Sequence, residues 1–201
     1  MTGLSEEQLE AMEELLNLGM GQAAAALSKM LNGFVRLNVP SITFIEPGDM
    51  VRRAQGLMPG PRVCAVRQGF HDALAGEAVN LYDPVYTSAL AKLLGVGEDE
   101  DVSSDEIVLE VSNLYISACL SGIAEQLNRE IAFYPPVLIG NNYPITEVFA
   151  ITELAWKRAL LTEICLSLED NSFTSKLLVF LPEESCEILD TVLTEFIESM
   201  G

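Results

Sequence analysis

Glu10, Glu14, Asn17 and Gly21 follow one another at steps of four, three and four residues. On a helix this spacing makes a single row. Glu106, Glu110, Asn113 and Ser117 repeat it. A carboxylate one turn before a carboxamide can anchor a cation and orient a water, because an amide both donates and accepts. Asn inside a helix costs up to about 0.7 kcal/mol relative to Ala, since its side chain competes for the backbone. Its use twice, at matching positions, points to a role for the amide. The small residue one turn on, Gly21 or Ser117, leaves room for another surface to approach. Taken singly, each Glu also reads as a solvated helix residue. Each Asn also reads as a tolerated surface residue or a helix–helix hydrogen bond.

Two long helices must carry these rows. Ser5-Glu6-Glu7-Gln8 is a capping-box pattern, and it opens a helix running to about Asn32, with Gly33 as the stop. Leu9, Met12, Leu16, Ala23, Leu27 and Met30 recur at helical steps and predict its apolar face. Ser103-Ser104-Asp105-Glu106 opens a second helix running to about Asn128. Between them the pattern predicts a strand over Phe34–Phe44, with Pro40 marking an edge or bulge. A Gly-, Pro- and Arg-rich loop follows over Gly48–Pro61. Strands Arg62–Phe70 and Gly76–Tyr82 form a hairpin, and a helix runs over Val85–Leu94. After the acidic linker Gly97–Asp101 and the second long helix, extended segments are expected near Val137, over Val148–Leu154 and over Trp156–Leu168. The turn Glu169–Ser172 leads into a strand over Phe173–Leu181. Pro182 then opens a final helix.

A shift of 96 residues aligns the two halves without a gap. Glu10, Glu14, Asn17, Leu18, Leu31, Asn32 and Pro40 meet Glu106, Glu110, Asn113, Leu114, Leu127, Asn128 and Pro136. Leu and Glu matches come cheaply in this composition, whereas two Asn and one Pro in a single frame do not. The expected fold is therefore α/β in the α+β sense. An α-β-β-β-α unit is duplicated about a pseudo-two-fold axis, with a mainly antiparallel sheet and two long flanking helices. One domain over 1–201 would hold two repeats, about 4–96 and about 102–200.

The chain has 201 residues, 30 Asp+Glu against 11 Lys+Arg, and a net charge of −19, yet 49% of it is hydrophobic. That apolar content excludes a disordered acidic chain. The few cations exclude a nucleic-acid binder or a polybasic membrane-surface protein. No run of 18 uninterrupted apolar residues suggests a membrane span, and the N-terminus has no basic signal region. Cys64, Cys119, Cys165 and Cys186 are scattered with no C-x-x-C pair. They read as small buried hydrophobes in a reduced, cytoplasmic protein. With a single histidine, His71, they make no zinc set. Arg52, Arg53, Arg62 and Arg67 read as a solvated loop or as a basic patch for an acidic partner. Trp156 and Tyr134 read as core or edge packing, and His71 as a hairpin residue.

Glu14-Leu15-Leu16-Asn17, then 22 residues, then Pro40 resembles the E-x-x-N-x22-P signature of the CheC/CheX/FliY family. Glu110-Val111-Ser112-Asn113 with Pro136 repeats it at the same spacing. Two signatures in a chain of this length resemble CheC most. CheX keeps one signature, and FliY carries a further flagellar-switch domain for which the chain has no room. The family's usual Asp or Ser four residues before the Glu is replaced by Glu10 and Glu106.

The resemblance implies a phosphatase of the aspartyl phosphate on a CheY-type response regulator in chemotaxis. It implies that Asn17 and Asn113 orient the attacking water, and that Glu14 and Glu110 anchor the partner by pairing with its lysine beside the phosphoryl group. No cofactor of its own is implied, and Mg²⁺ is expected on the partner. The alternative function is a non-catalytic, CheC-like adaptor that binds a receiver domain or the receptor deamidase CheD. A flagellar-switch component is a further possibility through family kinship.

Overall fold

Ser5 and Ser103 start the two long helices in the same way. The computed structural model describes residues 4–86, 90–91, 94, 102–151, 159–168 and 174–200. Its elements are α1 (Glu6–Met30), β1 (Val35–Ile45), α2 (Pro47–Ala54), β2 (Arg62–Asp72) and β3 (Gly76–Tyr82). These are followed by α3 (Ser104–Gln126), β4 (Ile131–Phe133), β5 (Val137–Pro144), α4 (Ile145–Ile151), β6 (Ala159–Leu168), β7 (Thr174–Pro182) and α5 (Glu183–Met200). At α1, Gln8 N–H donates to Ser5 Oγ at 3.2 Å and Ser5 N–H donates to Gln8 Oε1 at 2.9 Å. At α3, Glu106 N–H donates to Ser103 Oγ at 3.2 Å and Ser103 N–H donates to Glu106 Oε2 at 2.8 Å. Each box satisfies backbone donors that a helix start leaves over.

Both helices end on asparagine. Asn32 has φ 46° and Asn128 has φ 50°. Asn tolerates this left-handed conformation better than most side chains. The next N–H then folds back onto the helix, Gly33 to Ser28 O at 3.1 Å and Arg129 to Ala124 O at 2.9 Å. The stop expected at Gly33 is thus set one residue earlier. Of the expected apolar face of α1, Met12, Leu16, Ala23 and Leu27 are buried, Leu9 is half-buried and Met30 is exposed.

The described strands form one seven-stranded sheet in the order β1-β6-β7-β3-β2, with β4 and β5 sharing the outer edge of β2. Every pairing is antiparallel. The hairpin β2–β3 joins Cys64 to Tyr82 and Phe70 to Gly76. Pro40 falls where the β1–β6 register shifts, between Asn38 and Ser41 on an edge strand. A residue without an N–H fits such a place. On the opposite edge, the break between β4 and β5 contains Pro136.

Helices cover both faces of the sheet. Residues of α1, α3 and α5 pack on Cys64, Val66, Phe70, Ala78, Ile164 and Leu177. On the other face, Met50, Ala54, Val148 and Phe149 pack on Val63, Ala65, Leu81 and Leu161. Two-sided burial explains why the central strands read as apolar runs with little alternation. α3 is long and apolar enough to span a membrane by length and composition, but 56% of its most apolar window is buried inside the fold. There Val108, Ile116 and Cys119 are fully buried.

Two expected segments are corrected. The loop over Gly48–Pro61 begins with helix α2, and the extended segment from Val148 begins inside helix α4. Pro47 and Asp49 stand in the first turn of α2, and Met50 and Ala54 are fully buried beneath it. Pro at a helix start is favourable, so the Gly and Pro content misled. In α4, Val148 and Phe149 are buried on one side of a seven-residue helix too short to show a period. The expected α-β-β-β-α order therefore lacks a short helix, α2 or α4, in each half. Of the helix expected over Val85–Leu94, residues Pro84–Tyr86 form a 3₁₀ turn and Leu90 and Ala91 are helical. The linker 97–101, the turn 169–172 and Trp156 lie outside the described residues.

Candidate functional site

The first row stands on the outer side of α1, opposite its buried Leu15, Leu16 and Met20. Glu10, Glu14, Asn17 and Gly21 are all exposed. Neither the Glu14 nor the Asn17 side chain makes a hydrogen bond or ion pair with another described residue, and a Cβ added at Gly21 would meet nothing within 4 Å. Leu18, beside Asn17, is 51% exposed. The row is an acidic and amide-bearing surface with one apolar side chain and an open small position.

The second row is built differently. Glu106 and Glu110 are exposed, whereas Asn113 and Ser117 are half-buried. Glu106 is engaged in the capping box of α3, where the N–H and hydroxyl of Ser103 hold its carboxyl below the usual carboxylate range. Glu10 has no such job, because the α1 box uses Gln8. The glutamate that departs from the family signature at 106 thus has a local structural use. Ser117 donates its hydroxyl to Asn113 O at 2.6 Å, tying it to its own helix.

Asn113 is held from below. Gln68 Nε2 donates to Asn113 Oδ1 at 2.8 Å and to Tyr134 O at 2.9 Å. Gln68 is only 2% exposed and lies on β2, on the face of Cys64, Val66 and Phe70. One position earlier on α3, Ser112 Oγ accepts from the fully buried Asn80 Nδ2 of β3 at 3.1 Å. Two buried amides thus rise from the sheet beneath the second pair. Sequence reading missed both. The available signal was an amide at an inward-facing position of an otherwise apolar strand.

The two helices meet through Gly19 and Gly122, and Gln126 Nε2 donates to Gln22 Oε1 at 3.0 Å. The structure thus places both rows on adjacent helices and leaves Glu14, Asn17 and Glu110 in contact with solvent.

The arginines form no patch. Arg53 binds the buried carboxylate of Glu163, Arg52 pairs with Asp49, Arg62 bonds Asn142, and Arg67 lies 3.8 Å from Glu77. Each is neutralised or occupied locally. Tyr134 is edge packing: it is 57% exposed, with its ring 4.6 Å from that of His71. Cys64 and Cys119 are buried, Cys165 and Cys186 half-buried, and all are free thiols.

No protein-family model matches the chain. The flagellar motor switch phosphatase FliY of Bacillus subtilis is 28% identical over 139 residues, which cover 66% of this chain and 35% of that protein. The chain therefore spans about a third of the length of the relative it matches. The crystal structure of Thermotoga maritima FliY superposes with a TM-score of 0.65 at 19% identity, covering 96% of this chain and 99% of the other. The FliM middle domain of H. pylori gives 0.61 at 12% identity, covering 94% and 99%. CheX of Borrelia burgdorferi, solved in complex with CheY, BeF3 and Mg, gives 0.51 at 14% identity, covering 85% and 99%. At these identities the solved structures establish the fold. These similarities to FliY and CheX agree with the CheC/CheX/FliY resemblance of the signature.

Proposed function

The chain belongs to the CheC/CheX/FliY family, and on that footing we propose that it accelerates hydrolysis of the aspartyl phosphate on a CheY-type receiver domain. The observation that supports this reading is the repeated glutamate–asparagine pair. Each pair stands on a capped helix, with both glutamates and Asn17 exposed and Asn113 half-buried.

A receiver domain holds its own phosphoryl group and its own Mg²⁺, so the phosphatase needs little chemistry. It has to place a water in line with the phosphorus–oxygen bond and exclude bulk solvent, which is catalysis by positioning. Asn17 and Asn113 suit that task, because a carboxamide can donate to and accept from one water. Glu14 and Glu110, one turn earlier, would pair with the receiver's lysine beside the phosphoryl group. Leu18 adds an apolar contact next to Asn17. Nucleophilic Ser, Cys or His has no part in this scheme, and neither has a metal bound by this chain. The net charge of −19 would steer a receiver whose docking face is locally basic.

Asn17→Ala with Asn113→Ala should abolish stimulated dephosphorylation and leave the far-ultraviolet circular dichroism unchanged. The measurement is the lifetime of a phosphorylated CheY-type receiver with substoichiometric amounts of each protein. Wild-type rates from the double variant would overturn the mechanism. Retained binding with an unchanged receiver lifetime for the wild-type chain would favour the adaptor reading instead.

A further inference from the structure

On the phosphatase reading above, we infer that Gln68 is a positioning residue for Asn113, and that it makes the α3 pair the preorganised site of the two. The polarity of the contact follows from one fixed group. Tyr134 O is a backbone carbonyl and can only accept. The Gln68 atom 2.9 Å from it is therefore the donor Nε2. That same Nε2 lies 2.8 Å from Asn113, so the Asn113 atom facing it is the acceptor Oδ1. The Asn113 carboxamide is thus locked in plane and sense. Its NH₂ group lies on the side away from Gln68, and one Oδ1 lone pair remains free.

The anchor at the far end is itself fixed. Tyr134 N–H donates to Gly69 O at 3.0 Å, next to Gln68 on β2. The Tyr134 ring closes over Gly69, where a Cβ would stand 3.0 Å from Tyr134 Cδ2, and lies against His71. Gln68 also keeps an unsatisfied group. Its Oε1 is buried and has no hydrogen-bond partner among the described residues. Burying a half-satisfied amide is unfavourable, and a leucine or methionine would fill the position without that penalty. Holding Asn113 accounts for keeping the amide.

Asn17 has no such support. It is exposed and its side chain makes no hydrogen bond to another described residue. The 96-residue shift takes Gln68 to Ile164, which has no amide. Asn17 must therefore be ordered when a partner docks, whereas Asn113 is ordered beforehand. A group already held in its working geometry gives the larger rate effect.

The test uses the full chain and a phosphorylated CheY-type receiver. Asn17→Ala should lower stimulated dephosphorylation less than Asn113→Ala does. In the Asn17→Ala background, Gln68→Met should lower kcat at least ten-fold and leave KM for the phospho-receiver unchanged. Gln68→Glu in the same background gives a readout that a packing role would not move. Its carboxyl can donate to Asn113 Oδ1 only when protonated, so its activity relative to the parent should rise as pH falls. The Gln68→Met ratio should stay level with pH. Circular dichroism and melting temperature establish that the variants fold; if Gln68→Met does not, the pH dependence of Gln68→Glu decides. A Gln68→Met kcat within two-fold of its parent, a loss confined to KM, or a pH-independent Gln68→Glu ratio overturns the positioning role. Full activity in Asn17→Ala plus Asn113→Ala overturns the asparagine mechanism as a whole, and an unchanged receiver lifetime with the wild-type chain overturns the phosphatase reading instead.

Discussion

Gly19 and Gly122 bring the backbones of α1 and α3 into direct contact. A Cβ on Gly19 would lie 2.8 Å from Gly122 O, and one on Gly122 would lie 2.5 Å from Gly19 O. Real Cβ atoms do not approach oxygen that closely, so the two helices can sit this near only because both residues lack one. The contact sets the spacing between the two helices that carry the glutamate–asparagine pairs.

Alanine at either glycine is therefore expected to reverse the usual helix rule. Gly→Ala inside a helix ordinarily stabilises by up to about 1 kcal/mol. Gly19→Ala or Gly122→Ala should instead destabilise by roughly 1–3 kcal/mol, the range for overpacking. Gly21→Ala, whose new methyl meets open space, should stabilise by about 0.5–1 kcal/mol. Urea denaturation midpoints separate the three. A stabilised Gly122→Ala variant would show that the helices do not meet as described.

The Arg53–Glu163 pair straps α2 to the sheet. Arg53 donates to Glu163 Oε1 from Nε at 3.0 Å and from Nη2 at 2.5 Å, and to Ser41 Oγ at 3.3 Å. The Glu163 side chain is 8% exposed, and Lys176 Nζ is 3.9 Å from its second oxygen. Arg53→Met should cost about 2 kcal/mol, because it takes the hydrogen-bonded cation from a buried carboxylate and leaves it only the looser pairing with Lys176. Arg53→Met with Glu163→Met should recover most of that loss. Thermal unfolding of the single and double variants checks it, and equal losses in both would count against the strap.

The buried thiols predict the alkaline limit of stability. Burial pushes the Cys64 thiol up to about 11 from an ordinary value near 9.0, and pushes Cys119 well above its ordinary range. A group raised in the folded state stabilises fully below its unfolded value, and the contribution is lost as pH rises through the folded value. The urea midpoint should therefore hold to about pH 9 and fall between about pH 9 and 11. Cys64 should account for about 2 kcal/mol of that fall, and Cys64→Val should flatten it in part. Alkylation of the native chain at pH 8 should spare Cys64 and Cys119, while all four cysteines react after unfolding.

Much of the scaffold was legible in the residue pattern. Both capping boxes, the hairpin β2–β3, the edge placement of Pro40 and the membership of each four-residue row are written in local spacing. Spacing within one helix or strand is a local property. The repeat also marked Asn32 and Asn128, although it did not say why they recur; each turns the chain off a long helix at positive φ. The short helices were not legible. α2 and α4 span eight and seven residues, too few for a helical period to stand out from a loop or a strand.

The sequence by itself determined which residues share a face and where the long helices begin, because those follow from the period of the chain. Only the tertiary structure decided how the two pairs differ. In the sequence, Glu14-x-x-Asn17 and Glu110-x-x-Asn113 are the same motif. In the fold, Asn17 stands free of described hydrogen-bond partners, while Asn113 rests on Gln68, 45 positions away. A contact across that separation is set by which strand packs beneath which helix, and no local spacing carries that information. The same reason hid the meeting of Gly19 with Gly122 and the pairing of Arg53 with Glu163: each joins elements that only the assembled sheet and its two helical layers bring together.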